Sequence, residues 1–283
     1  MKNEKHKIYS QLTEEDKSEI VNFYYNHPEL KQNKIASEMN ISQRAMRQIL
    51  KEKHVNPHLK NRYKFNENYF ECLDSPKKAY LLGFLFADGF VGNDSNQIVL
   101  SSTDKEVIDL FASEIDYTGK IRESHNSGYG SKKIQYSVQV NSSKMKRDLK
   151  KYGMIYGKGV RTKHLPEIEE PLLFQFIRGY AEADGSLSIR TSRMMHNNHT
   201  YEYERCFWTL IGQKNLLEEV AEKLNIKPLL KESHTNGLFY LNTQKISTIK
   251  GIYDLMYKDI DFGIARKIQA IQNYISSLSA IRQ

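Results

Sequence analysis

Apolar residues keep two different rhythms along this chain. Between residues 1 and 55 they fall at helical spacing only. Thr13 followed by Glu14, Glu15 and Asp16 marks a helix start, because a hydroxyl and early acids satisfy and complement the free N–H groups of a first turn. That helix is expected to run to about Tyr25 and to stop at His27-Pro28, since the residue before a proline avoids helical backbone. Two short helices follow, over 31–39 and 42–53, joined at Asn40-Ile41. A polar, irregular stretch from His54 to Glu67, with Pro57 near its start, reads as a linker.

From Tyr80 onward the texture changes and then repeats. The first unit opens with an apolar helix over 78–88 and a hairpin over 90–101 that turns at Gly92-Asn93-Asp94. A helix over 104–115, strands over 120–125 and 132–141, and a helix over 143–152 complete it. The second unit has a helix over 171–184, strands over 186–193 and 201–211, and a helix over 214–224. Strands over 229–234 and 238–243 follow, then helices over 246–257 and 263–278. The order helix, two strands, helix, two strands, helix thus occurs twice. The predicted fold class is α+β, a duplicated αββαββα unit behind a small all-α domain. The expected boundaries are 1–55 for the helical domain, 56–72 for the linker, and 73–170 and 171–283 for the two halves.

Charge sharpens this picture. The chain has 42 Lys+Arg against 34 Asp+Glu, a net charge of +8 that favours a polyanionic partner. The two cysteines, Cys72 and Cys206, stand far apart in no metal-ligand spacing, which argues against a zinc ribbon or a disulfide scaffold. No apolar run reaches the ~18 residues of a membrane span. The start, MKNEKHKIYS, lacks the apolar core of a signal peptide. A cytoplasmic protein with a polyanionic partner is expected.

Each unit's first helix ends in the same signature. One reads Leu81-Leu82-Gly83-Phe84-Leu85-Phe86-Ala87-Asp88-Gly89, the other Ile177-Arg178-Gly179-Tyr180-Ala181-Glu182-Ala183-Asp184-Gly185. The offset, 184 − 88 = 96, is about one repeat unit. Gly83 and Ala87 lie four apart, as do Gly179 and Ala183, so each helix shows a face of small residues that permits close backbone approach. Packing those faces together brings Asp88 beside Asp184. Two carboxylates at helix C-termini repel each other and meet the unfavourable end of the dipole, an arrangement that a divalent cation rewards. Oxygen-only ligation by two acids suits Mg²⁺, with Mn²⁺ expected to substitute. The bland alternative is a pair of ordinary helix ends, each capped by its glycine; the repetition weighs against it.

This pair resembles the LAGLIDADG family of homing endonucleases in its single-chain, pseudo-twofold form, over roughly residues 63–278. The resemblance implies that the strands of both halves form a saddle over the DNA major groove and that Asp88 and Asp184 bind catalytic metals, assisted by the carbonyls of Ala87 and Ala183. Phe86 replaces an acid often found two positions before the last one, whereas Glu182 keeps it. The family sets a basic residue near each metal site. Lys158, in Tyr156-Gly157-Lys158-Gly159, is the candidate in the first half, with Lys163 a close rival; Lys267 is the candidate in the second.

On such a saddle, groove-facing strands should carry long polar side chains. The candidates are Arg122, Lys132, Gln135, Arg190, Arg193 and Asn242, while Lys144, Lys146, Arg147, Lys150 and Lys151 suit phosphate contacts. The first domain resembles a helix-turn-helix over 32–51. Ile35, Ala36, Met39, Ile41, Met46 and Ile49 hold its apolar positions and Asn40 its turn. Ser42, Gln43, Arg44, Arg47, Gln48 and Lys51 would then face DNA. The implied function is a site-specific, metal-dependent double-strand DNA endonuclease from a mobile element, acting as a monomer. A non-cleaving DNA-binding regulator on the same fold, or an intron maturase, stands as the alternative.

Overall fold

A computed structural model describes residues 6–27, 30–55, 63–125, 133–154, 157–158, 164–196, 199–228, 230–235 and 237–280. The chain divides into two compact units, Met1–Lys64 and Phe65–Gln283.

The first unit is helical. A 3₁₀ turn, Tyr9–Gln11, precedes α1 (Glu14–Asn26), α2 (Gln32–Glu38) and α3 (Gln43–Glu52). Thr13 starts α1 as its residues predict: its Oγ1 accepts from Asp16 N at 3.1 Å and Asp16 Oδ2 accepts from Thr13 N at 2.8 Å. Asn40 turns the chain between α2 and α3 with a left-handed φ of 52°. Ile35, Ala36, Ile41, Met46 and Ile49 are buried together with Ile20 and Tyr24, and Met39 packs at the edge of this core.

The second unit is the duplicated α+β fold. Its first half contains α4 (Pro76–Asp88), β1 (Gly89–Val91), β2 (Gln97–Ser102), α5 (Lys105–Glu114), β3 (Arg122–Ser124), β4 (Gln135–Asn141), α6 (Ser143–Lys151) and β5 (Gly157–Lys158). The second half contains α7 (Leu172–Asp184), β6 (Gly185–His196), β7 (His199–Gly212), α8 (Lys214–Lys223), β8 (Leu230–Glu232), β9 (Phe239–Thr243), α9 (Ile246–Met256) and α10 (Ala265–Ala280). Two antiparallel sheets result, in the orders β3-β4-β2-β1-β5 and β6-β7-β9-β8. The short β5 beside β1 extends the expected pattern. The segment before α4 is no mere connector, since Tyr69 and Phe70 are buried and Tyr69 donates to Glu114 at 3.0 Å.

Alternation gives each sheet one covered face. Ile98, Leu100, Val138 and Val140 fill that face in the first sheet, and Cys206, Trp208, Leu210 and Leu241 in the second. The leading hairpins differ: β1 and β2 hold 3 and 6 residues, β6 and β7 hold 12 and 14.

Candidate active site

Ser75 caps α4 by accepting from Lys78 N, and Pro76 opens its first turn, where a missing N–H costs nothing. α4 and α7 pack directly on each other. A Cβ at Gly83 would fall inside the carbonyl oxygen of Phe176, and one at Gly179 inside that of Tyr80. These two contacts are related by the repeat, since 176 − 80 and 179 − 83 both equal 96. The small-residue faces therefore meet as the sequence predicts. Gly89 and Gly185 have extended backbones, φ −78° and −113°, so neither is a left-handed cap. Each helix runs straight into a strand, and a side chain at either glycine would strike the preceding helical turn.

Asp88 is exposed and Asp184 half-buried, one at the last position of each helix. Burial, then Asp184, then Asp88 hold the Tyr180 phenol well above its ordinary range, so both carboxylates act on one ring. A cavity of about 400 Å³ opens here, lined by Asp88, Gln135, Glu182, Ala183, Gly185 and Lys267 among others. Among the described residues no group of three or more His, Cys, Asp and Glu side chains could hold a metal by itself. Two carboxylates with main-chain carbonyls at helix ends form a hard, oxygen-only donor set. Such a set suits a hard divalent cation that keeps several waters.

Residues 75–153 match the family model of the LAGLIDADG-like domain. The fold of the whole second unit agrees. The crystal structure of I-LtrWI, a LAGLIDADG homing endonuclease bound to target DNA, superposes with a TM-score of 0.52 at 11% identity, covering 76% of this chain and 92% of that one. A lysine-to-alanine variant of I-SmaMI gives 0.51 at 13% identity, covering 71% and 89%. At such identities the likeness concerns the fold. No curated protein sequence matches the chain.

The flanks of the α4–α7 pair are unlike. On one, Phe86 and Phe176 meet edge to face at 5.0 Å. On the other, the repeat-related positions hold Glu182 and Tyr80, and the Tyr80 hydroxyl donates to Glu182 Oε2 at 2.8 Å. Arg178, fully buried, donates to Glu182 Oε1 at 3.0 Å, to Gln175 Oε1 at 2.8 Å and to the Phe262 carbonyl at 2.9 Å. Its guanidinium also lies over the rings of Tyr80 and Phe262, at 4.2 and 4.5 Å. Burial and the neighbouring Glu182 push the Tyr80 phenol up.

Lys267 reaches this site from the first turn of α10, donating to the carbonyls of Glu182 at 2.5 Å and Gly185 at 3.0 Å. Burial drives its ammonium below the ordinary lysine range, opposed by Glu182, Asp104 and Asp88. Arg266 pairs with Asp104 at 2.8 Å, and Ala265 N donates to Glu106 Oε1 at 3.0 Å, so the first half also grips α10. For Lys158 only the backbone is described, paired with Phe90; Lys163 and Lys132 lie outside the described residues.

The strand candidates separate by parity. In the second sheet Arg190 pairs with Arg205 and Asn242 with Thr209, all on the face opposite Trp208 and Leu210. Arg193 has the other parity and is tied to Glu202 at 2.7 Å, so it does not share the face of Arg190. In the first sheet Arg122, Gln135 and Gln139 share the open face, and Arg122 donates to Gln139 at 2.9 Å. In the helical unit Gln43, Arg44, Arg47, Gln48 and Lys51 are exposed, while Ser42 is half-buried and spends its hydroxyl oxygen on Ala45 N as the α3 cap.

Proposed function

We propose that this chain is a site-specific DNA endonuclease that cuts both strands of a duplex. The observation that carries the reading is the pair of acids, Asp88 and Asp184, set at the ends of two helices in glycine-mediated contact. Asp88 and Asp184, with the carbonyls of Ala87 and Ala183, would hold Mg²⁺ or Mn²⁺. Such ions supply an activated water and neutralise the leaving oxygen of a phosphodiester. Lys267 holds a proton donor at the end of the second motif, and Lys158 or Lys163 serves the first. Arg122, Gln135, Arg190, Arg205 and Asn242 on the open sheet faces read the groove, and the exposed residues of α3 extend the recognised site. Both motifs lie in one chain, so the protein acts as a monomer. Among the described residues no helix is long and apolar enough to cross a membrane.

Selection of a bound duplex from a random library, followed by cleavage with and without Mg²⁺, tests this. The wild type should cut both strands, and Asp88→Asn should bind without cutting. A wild type that binds tightly but cuts under neither Mg²⁺ nor Mn²⁺ would be a DNA-binding regulator, the second reading, which the helical first unit favours.

A further inference from the structure

The first turn of α10 is held by a buried network that, among the described residues, is found in the second half alone. Glu182 Oε2 accepts from Ile264 N at 2.9 Å as well as from Tyr80. Arg178, paired with the other oxygen of Glu182, holds the Phe262 carbonyl. Gly263 lies between those two anchored residues at φ 117°, and a Cβ there would stand 2.6 Å from Arg178 Nη1 and 3.0 Å from Glu182 Oε2. Both its backbone and its surroundings require glycine. Lys267 follows within one turn. In the first half the positions equivalent to Arg178, Glu182 and Tyr80 are Leu82, Phe86 and Phe176.

We infer that Glu182, with Arg178 and Tyr80, is a positioning residue: it clamps the start of α10 and so holds the Lys267 ammonium at the end of the second motif. The inference rests on the endonuclease reading for its catalytic consequence, not for the clamp itself. A lysine on a four-carbon stem is rotationally free unless its backbone and head are both fixed, and misplacing a reacting group by about 1 Å costs on the order of 100-fold in rate. The pseudo-dyad relating the halves also relates the two strands of a bound duplex. A clamp present in one half therefore governs one strand.

Two measurements on the full-length protein test this. The first is reductive methylation of Lys267 with formaldehyde and cyanoborohydride, read by peptide mass spectrometry, which requires no cleavage. Glu182→Gln should label roughly 10-fold faster than wild type, and Tyr80→Phe to a lesser extent, through local opening of the α10 start. The second is strand-resolved cleavage of a selected target. Glu182→Gln should slow one strand by about 10-fold, leaving nicked product, with duplex binding unchanged, and should add nothing in a Lys267→Met background. Unchanged labelling, equal slowing of both strands, or further slowing in Lys267→Met would each overturn the inference. Should Glu182→Gln not fold, Tyr80→Phe decides by the same signs. If Glu182→Gln labels faster than wild type as expected but the wild type cuts neither strand, the endonuclease reading fails while the clamp stands.

Discussion

On one flank of the α4–α7 pair two phenylalanine rings, Phe86 and Phe176, fill the space; on the other, the same repeat positions hold an acid and a phenol bonded to a buried arginine. The backbone contact between them is the same read from either helix, through Gly83 and Gly179. Close helix approach is common to both sides. The polar network is an addition to one, and an oily pair does the packing equally well on the other. A buried ion pair seldom stabilises more than a well-packed apolar substitute, so its placement beside Lys267 points to positioning rather than to stability.

The largest effect should come from breaking the polar flank alone. Glu182→Leu strands Arg178 uncompensated and should cost about 3–5 kcal/mol, measured by urea unfolding with Trp208, the single tryptophan, as probe. A loss under about 1 kcal/mol would show the network to be dispensable. Converting the flank entirely to the apolar kind, with Tyr80→Phe, Arg178→Leu and Glu182→Phe together, should instead return stability to within about 2 kcal/mol of wild type. Next, Gly83→Ala and Gly179→Ala should each cost about 3 kcal/mol by forcing the backbones apart, and by equal amounts. Costs that differ several-fold would deny the symmetry of the contact. Phe86→Leu should cost only about 1 kcal/mol, the lost edge-to-face contact; a loss as large as that of Glu182→Leu would erase the contrast between flanks.

The smallest effect contrasts an exposed ion pair with the buried one. Hydrogen bonds from Lys17 and then Lys53 hold the Glu14 carboxyl down to about 2, from an ordinary 4.5. A depressed folded value means stability that is present above pH 4.5 and is lost as pH falls through about 2. Amide exchange of α1, corrected for its intrinsic rate, should therefore accelerate modestly from pH 5 to pH 3, and less so in Glu14→Gln. Identical acceleration in both proteins would remove Glu14 from the account.

What the sequence made legible was whatever repeats or lies close along the chain. Gly83, Ala87 and Asp88 recur as Gly179, Ala183 and Asp184, and a small-residue face has only one economical use. Thr13 and Asn40 announced their roles through local backbone chemistry. The clamp was hidden because Glu182 meets Tyr80 and Ile264 across 102 and 82 residues. A signal did exist. Setting the repeats side by side, the two positions that are both aromatic in one pairing, 86 and 176, are both polar in the other, 182 and 80, as contacting positions would be. Arg193 and Arg190 were grouped as long polar side chains of one strand, but they stand three apart, so alternation turns them to opposite faces. Asp104 and Arg266, 162 apart, left no local trace.

The unequal hairpins carry a consequence for information. At about 3.3 Å per residue, the 12 residues of β6 extend to roughly 40 Å, longer than the ~34 Å of one DNA turn, whereas the 3 residues of β1 cover only ~10 Å. If the chain reads DNA as proposed, a reader built this way would sample its two half-sites to different depths, and its target would be lopsided, tolerant of base changes on one side of the cut and strict on the other.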